Sequence, residues 1–194
     1  MDARVIEKDG LYLIENRVFK IEITDQSNIT HWSIKPKNSE IIEKVSFEDK
    51  INNKNLTPQH SWTTSTSITF DFETDFGMLK KVYSINNIAL IMDIYLISHK
   101  ETEVEYATNL NIKHDAIDLF MVGHNEFDIK KQQTTEANDL LLIKKNLDIY
   151  LGFIFKEKAI LTMNPDNCLE FSFKTKVKLL TNDMFMISYT SSLV

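Results

Sequence analysis

An all-β fold built as an antiparallel sandwich is what this 194-residue sequence predicts, and three observations predict it. Apolar residues recur with a period close to two through most of the chain, which is the period of a half-buried strand. Breaks rich in Asn and Asp separate these stretches at regular spacing. The segment Leu79 to His114 reads as three successive antiparallel strands.

Taken in order, Phe19, Ile21 and Ile23 alternate with Lys20 and Glu22, so one face is apolar and the other solvated. Ser39 to Lys50 is the one helical candidate, with Ile41, Ile42 and Val45 on a shared face, so the fold carries at most one short helix. Ile68, Phe70 and Phe72 alternate with Thr69 and Asp71. Leu79, Lys81, Tyr83 and Ile85 then face away from Lys80, Val82 and Ser84, and Asn86-Asn87 supplies a turn. Ile88 to Ile97 is apolar at nearly every position, which suits a strand covered on both faces. After the polar break His99 to Glu103, Val104, Tyr106, Thr108, Leu110 and Ile112 oppose Glu105, Ala107, Asn109, Asn111 and Lys113. Leu147, Ile149, Leu151, Phe153 and Phe155 form a further row. Leu169, Phe171, Phe173, Thr175, Val177 and Leu179 face away from Glu170, Ser172, Lys174, Lys176 and Lys178, the cleanest alternation in the chain. Met184 to Ser191 closes the series.

Only 4 Gly and 3 Pro are present, so the turns must draw left-handed backbone from Asn and Asp. The candidates are Asp25-Gln26-Ser27-Asn28, Asn52-Asn53-Lys54-Asn55, Asn86-Asn87, Glu136-Ala137-Asn138-Asp139, Asn164-Pro165-Asp166-Asn167 and Thr181-Asn182-Asp183. The same scarcity of Gly removes the dinucleotide GxGxxG and the phosphate-cradling GxxxxGK[ST]. No internal repeat or low-complexity linker interrupts the pattern, and the length suits one domain over residues 1–194.

A net charge of -6 without a basic stripe makes nucleic acid and anionic membrane surfaces poor partners. The longest apolar run is half a membrane span, and the N-terminus is charged from its second residue, so a soluble, cytoplasmic protein is expected. Cys168 is the lone cysteine and reads as a small buried hydrophobe. No HExxH, paired CxxC, EF-hand loop or GxSxG occurs, so no metal site, cofactor or hydrolase triad is implied.

The residues left over are few. General acid–base chemistry would need a His and a carboxylate that converge. His114 and Asp115, adjacent on a strand, point apart, whereas His124 and Glu126 at i, i+2 share a face. Binding of a small ligand instead asks for an aromatic plate flanked by polar groups. Trp62, with His60, in the polar run Thr57 to Ser67 has that character, and Trp32 beside His31 is similar. Asn109 and Asn111 are either solvated, bonded to neighbouring strands, or aligned on a sheet surface that meets a ligand. Lys174, Lys176 and Lys178 form a solvated row that guards an edge.

Residues 10–42, GLYLIENRVFKIEITDQSNITHWSIKPKNSEII, resemble the start of galactose-mutarotase-like β-supersandwich domains. Leu79 to Lys113 is similar to the central hairpin of that fold as found in the C-terminal β domain of α-amylase and glucanotransferase type glycoside hydrolases. The residues that carry the likeness are Lys81-Val82-Tyr83, Tyr95-Leu96-Ile97 and Thr108-Asn109-Leu110-Asn111. Two departures stand out: the acidic residue of the family's pattern is Thr108 here, and its Gly-rich first turn is Gln26-Ser27-Asn28. The resemblance implies a supersandwich-like domain that binds carbohydrate or serves as an accessory module of sugar metabolism, without catalysis of its own. Its ligand-binding set would be Trp32, His60, Trp62, Asn109 and Asn111. Two other readings stay open: an epimerase using His124 and Glu126, and a β domain that self-associates as a homo-oligomer or docks to a partner.

Overall fold

The computed structural model describes residues 3–193; Met1, Asp2 and Val194, which the expected domain over 1–194 includes, lie outside the described residues. The period-two stretches become strands, and they assemble into an all-β sandwich. A five-stranded sheet opens the chain: β1 (Arg4–Lys8), β2 (Leu11–Glu15), β3 (Phe19–Thr24), β4 (Ile29–Ile34) and β5 (Ser39–Glu40), paired in that order. The second sheet holds the remaining strands. Its first members are β6 (Lys50–Ile51), β7 (Lys54–Asn55), β8 (His60–Thr63), β9 (Ser67–Thr74), β10 (Gly77–Ile85), β11 (Ala89–Ser98) and β12 (Thr102–Ile112). They are followed by β13 (Leu119–Val122), β14 (Asn125–Phe127), β15 (Gln133–Lys144), β16 (Ile149–Asn164), β17 (Leu169–Leu179) and β18 (Met184–Leu193).

The spatial order of the large sheet is β7-β6-β12-β17-β16-β18-β11-β10-β9-β8, with the pair β13–β14 and β15 lying off that path along β16. The long strand β16 joins its two halves. Residues Leu151 to Phe155 pair with β18, and Ile160 to Asn164 pair with β17, so one strand serves two neighbours on the same side. This topology corrects one expectation. β10 and β11 form a hairpin as predicted, but β12 crosses over and pairs with β17 and β6 rather than with β11. Strand pattern sets which face is apolar; it does not choose a non-local partner.

One hydrophobic core lies between the sheets and draws on both of them. Trp32 of the small sheet has no exposed surface and meets Phe19, Phe47 and Phe153, with ring centroids at 5.6, 6.2 and 5.9 Å. Tyr12 crosses to Phe70 at 5.6 Å with the rings edge to face. Each such aromatic pair adds about 0.5–1.5 kcal/mol beyond its area burial. The alternation of β17 holds: Leu169, Phe171, Phe173, Thr175, Val177 and Leu179 are all buried.

Three local expectations are overturned. Ser39 to Lys50 forms no helix. Its backbone is taken up by the large sheet, with the Glu43 and Phe47 amides donating to the Asn111 and Asn109 carbonyls, while Ser46 bridges to Ile29 of the small sheet. These long-range bonds override a weak local propensity. Glu136 to Asp139 makes no turn but lies inside β15, where it is absorbed as a register shift between Ala137 and Asp139. Leu147 is 39% exposed in a single 3₁₀ turn ahead of β16. Several of the other Asn-rich breaks do form turns, and Ser27, Asn52, Asn53 and Asn182 have φ of 66°, 51°, 64° and 57°.

The segment between the sheets, residues 41–53, is pinned by a buried charge. Lys81 has no exposed surface, and its ammonium donates to the Ser27 carbonyl (3.3 Å), the Phe47 carbonyl (2.8 Å) and Asp49 Oδ2 (2.7 Å). Three donors therefore meet three acceptors. The second oxygen, Asp49 Oδ1, accepts from the Tyr106 hydroxyl at 2.6 Å, and the Tyr83 hydroxyl donates to the Ser27 carbonyl at 2.7 Å. Ser27 and Phe47, whose carbonyls receive the ammonium, both have left-handed backbone, Phe47 at φ 61°. For a phenylalanine that conformation costs on the order of 1–3 kcal/mol and persists because its surroundings hold it. Burial pulls the Lys81 ammonium below its ordinary value, against the upward pull of the Asp49 carboxylate. Burial and the same carboxylate push the hydroxyls of Tyr83, Tyr106 and Tyr189 above theirs.

Replacing Lys81 by Met leaves Asp49 buried without its cation, and denaturant unfolding is expected to show a loss of about 3–5 kcal/mol. Adding Asp49→Leu to that variant should recover part of the loss; a single variant as stable as the parent would show that the pair does not hold the fold.

A second expectation concerns alkali. The folded values of the three tyrosines lie above 10.0, so their contribution is fully present below that pH and is lost as the pH rises, because the unfolded chain releases its protons first. Lys81 acts in the opposite sense: its folded value lies below 10.5, so its effect on stability rises with pH up to that point and no further. Above it the tyrosines act alone, at up to about 1.4 kcal/mol per group per pH unit. In an alkaline titration at least three of the six tyrosines should therefore ionise only together with loss of near-UV circular dichroism. Ionisation of all six in the intact fold would contradict this.

Candidate functional site

The face of the large sheet opposite the core is set by the same alternation that fills the core. On β9 and β10, Phe70, Phe72, Leu79, Lys81 and Tyr83 point inward, so Thr69, Asp71, Lys80 and Val82 point outward. Cross-strand register then aligns two neighbouring rows on this outer face. One runs His60, Asp71, Lys80, Tyr95 and Met186 across β8, β9, β10, β11 and β18. The other runs Trp62, Thr69, Val82, Asp93 and Ser188.

Trp62 is 43% exposed on the edge strand β8, and the Lys80 ammonium sits 5.0 Å from its ring centroid. A cation over an indole face is worth about 0.5–1 kcal/mol at an exposed site and holds the ring in place. Lys80 also stands 3.8 Å from Asp71 Oδ1, too long for a hydrogen bond. That carboxylate oxygen is buried and has no hydrogen-bond partner, although the residue retains exposed surface. Further along, the Ser188 hydroxyl donates to Asp93 Oδ1. Burial, followed by the charge of Asp93, pushes the Tyr95 hydroxyl above its ordinary value. The result is an open surface that carries two aromatic rings, one ammonium, two carboxylates and several hydroxyls.

The sequence-predicted residues divide. His60 and Trp62 lie on this face, two residues apart on β8 and therefore on the same side. Trp32 is corrected: it shares the phase of Ile34, has no exposed surface and fills the core, so it has no ring face to offer a ligand. Asn111 is corrected too. It is buried, its Nδ2 donates to the Val45 carbonyl and its Oδ1 accepts from Cys168 Sγ at 3.7 Å. Asn109 Oδ1 accepts from the Glu48 amide at 3.2 Å. Both amides hold the 41–53 segment against β12. His124 and Glu126 occupy the exposed hairpin of β13 and β14, where Val122 pairs with Asn125 and Met121 with Glu126. His124 sits in the turn itself and Glu126 on the following strand, away from the rows around Trp62.

Asp71, Lys80, Asp93, Tyr95 and Ser188 were not singled out as binding residues from sequence. A signal did exist for one of them, since Asp93 is the only charge within the apolar run Ile88 to Ile97.

Clefts also open on the other half of the sheet. A space of about 610 Å³ lies over β12 and β17 beside the Asn52-Asn53 turn, lined by Glu103, Glu105, Lys176 and Lys178 among others. A smaller one of about 160 Å³ borders Asn109, Lys50 and Lys174. Neither is lined by an aromatic ring.

With this geometry in hand, comparison with solved structures identifies the architecture. The chain has the galactose-mutarotase-like fold. It is similar to a galactose mutarotase-like protein from Lactobacillus casei, with a TM-score of 0.68 and 10% identity over 95% of this chain and 100% of that one. It is also similar to a putative aldose 1-epimerase from Escherichia coli K12, with a TM-score of 0.63 and 6% identity over 95% of this chain and 98% of that one. A 4-alpha-glucanotransferase from Thermococcus litoralis aligns over 99% of this chain with a TM-score of 0.68 and 9% identity; the chain spans 39% of that protein's length. No protein-family model matches the sequence, and no curated protein matches it.

Proposed function

We propose that this chain is a non-catalytic carbohydrate-binding or accessory domain of sugar metabolism, and that it binds through the outer face around Trp62. The observation that carries this reading is the half-exposed indole of Trp62, steadied by Lys80 and set among His60, Asp71, Tyr95, Asp93 and Ser188. A sugar ring offers an apolar C–H face and a rim of hydroxyls, and it is met by an aromatic plate next to carboxylate, ammonium and hydroxyl groups. The fold it shares with proteins described as mutarotase-like, as an aldose 1-epimerase and as a glucanotransferase supports the choice of ligand class by analogy.

Epimerase chemistry by His124 and Glu126 has less support. Both are exposed, His124 in the turn between β13 and β14 and Glu126 on β14, so neither is screened from water. Partner docking is favoured by one observation, the exposure of Ile154 (64%) and Met184 (61%) further along the same face.

A panel of neutral oligosaccharides is expected to yield saturable binding that Trp62→Ala weakens by at least tenfold with its unfolding midpoint unchanged. A panel without a binder, together with a mass that rises with concentration in sedimentation, would overturn the carbohydrate reading in favour of self-association.

A further inference from the structure

The Trp62 face differs from an enclosed sugar pocket in one respect. Its two exposed-side aromatics are far apart: Trp62 lies on β8 and Tyr95 on β11, three strand spacings away and one two-residue step along the strand. At about 4.8 Å per strand and 3.4 Å per residue, their backbones are roughly 16 Å apart. One sugar ring cannot stack on both. Between and beyond them the face alternates in character, with the Lys80 ammonium beside Trp62 and the Asp93–Ser188 hydrogen bond beside Tyr95. The clefts over β12 and β17 lie elsewhere and hold no ring.

We infer that the ligand of this face is an extended oligosaccharide lying across the strands, with one ring on Trp62 and another, further along the chain, on Tyr95. This rests on the carbohydrate reading above and specifies its substrate class. An open platform gives each ring few contacts, so useful affinity has to accumulate from several rings held on one chain, each later contact being made at high effective concentration. The ladder bonds of four adjacent strands fix the spacing of the two aromatics, so the platform is set before the ligand arrives and little is lost in ordering it. Lys80 is a positioning residue here: its ammonium covers part of the indole and fixes which ring face remains open.

Calorimetric titration with glucose and with the cello- and malto-oligomers up to seven rings tests this. The association constant is expected to rise at least tenfold from the monosaccharide to the length that spans both aromatics, and to level off beyond it. Tyr95→Ala should return the longest ligand to the affinity of a short one while leaving short ligands unchanged, and Trp62→Ala should weaken every length. Circular dichroism of each variant establishes that it is folded. Equal affinity at all lengths, or a Tyr95→Ala protein that binds the longest oligomer as the parent does, overturns the extended-ligand inference and leaves the carbohydrate reading standing. Failure of every sugar to bind overturns that reading itself.

Discussion

The buried pair Lys81–Asp49 is the constraint on which the rest of this structure hangs. An ammonium taken wholly out of water costs several kcal/mol, so it is tolerated only where every donor is met, and here three acceptors meet it. Those acceptors come from two places: Ser27 in the 25–28 turn of the small sheet, and Phe47 and Asp49 in the 41–53 segment between the sheets. Tyr106 of β12 and Tyr83 of β10 complete the network, so a single cation ties both sheets and their connection together. Phe47, whose carbonyl accepts from Lys81, sits in left-handed backbone at this junction.

That pair also decides what the outer face displays. Lys80 and Lys81 are neighbours on β10, one turned outward beside Trp62 and the other inward to Asp49. A slip of one residue that put Val82 in the place of Lys81 would leave Asp49 without its cation and bring Ser84 into the core. The penalty for an uncompensated buried charge is larger than that for most single packing changes, so the pair holds the strand in register. The row that runs from His60 to Met186 is therefore a consequence of a contact made on the opposite side of the sheet. Fold and site are coupled through the pleat.

Much of this was legible in the chain. The alternation of Phe19 to Ile23, of Ile68 to Phe72 and of Leu169 to Leu179 predicted faces that the structure has, because burial of one face needs only local pattern. Lys81 stood in phase with Leu79, Tyr83 and Ile85, and a lysine in an apolar phase is the sequence mark of a buried charge. Phase also separates the two tryptophans: Trp32 shares its side with Ile34, whereas Trp62 shares its side with His60. What could not be read was long-range. β12 finds β17 some sixty residues later, Asn109 and Asn111 are consumed by a segment sixty residues earlier, and the outer site is assembled by register across five strands.

The proposed binding of a sugar chain to the outer face set by this register has a direct test. Amide chemical-shift mapping during addition of an oligosaccharide measures that directly. It predicts perturbations on β8, β9, β10, β11 and β18, centred on Trp62, Lys80, Tyr95 and Ser188. Perturbations confined to the cleft over β12 and β17, or to the hairpin that carries His124 and Glu126, would contradict it.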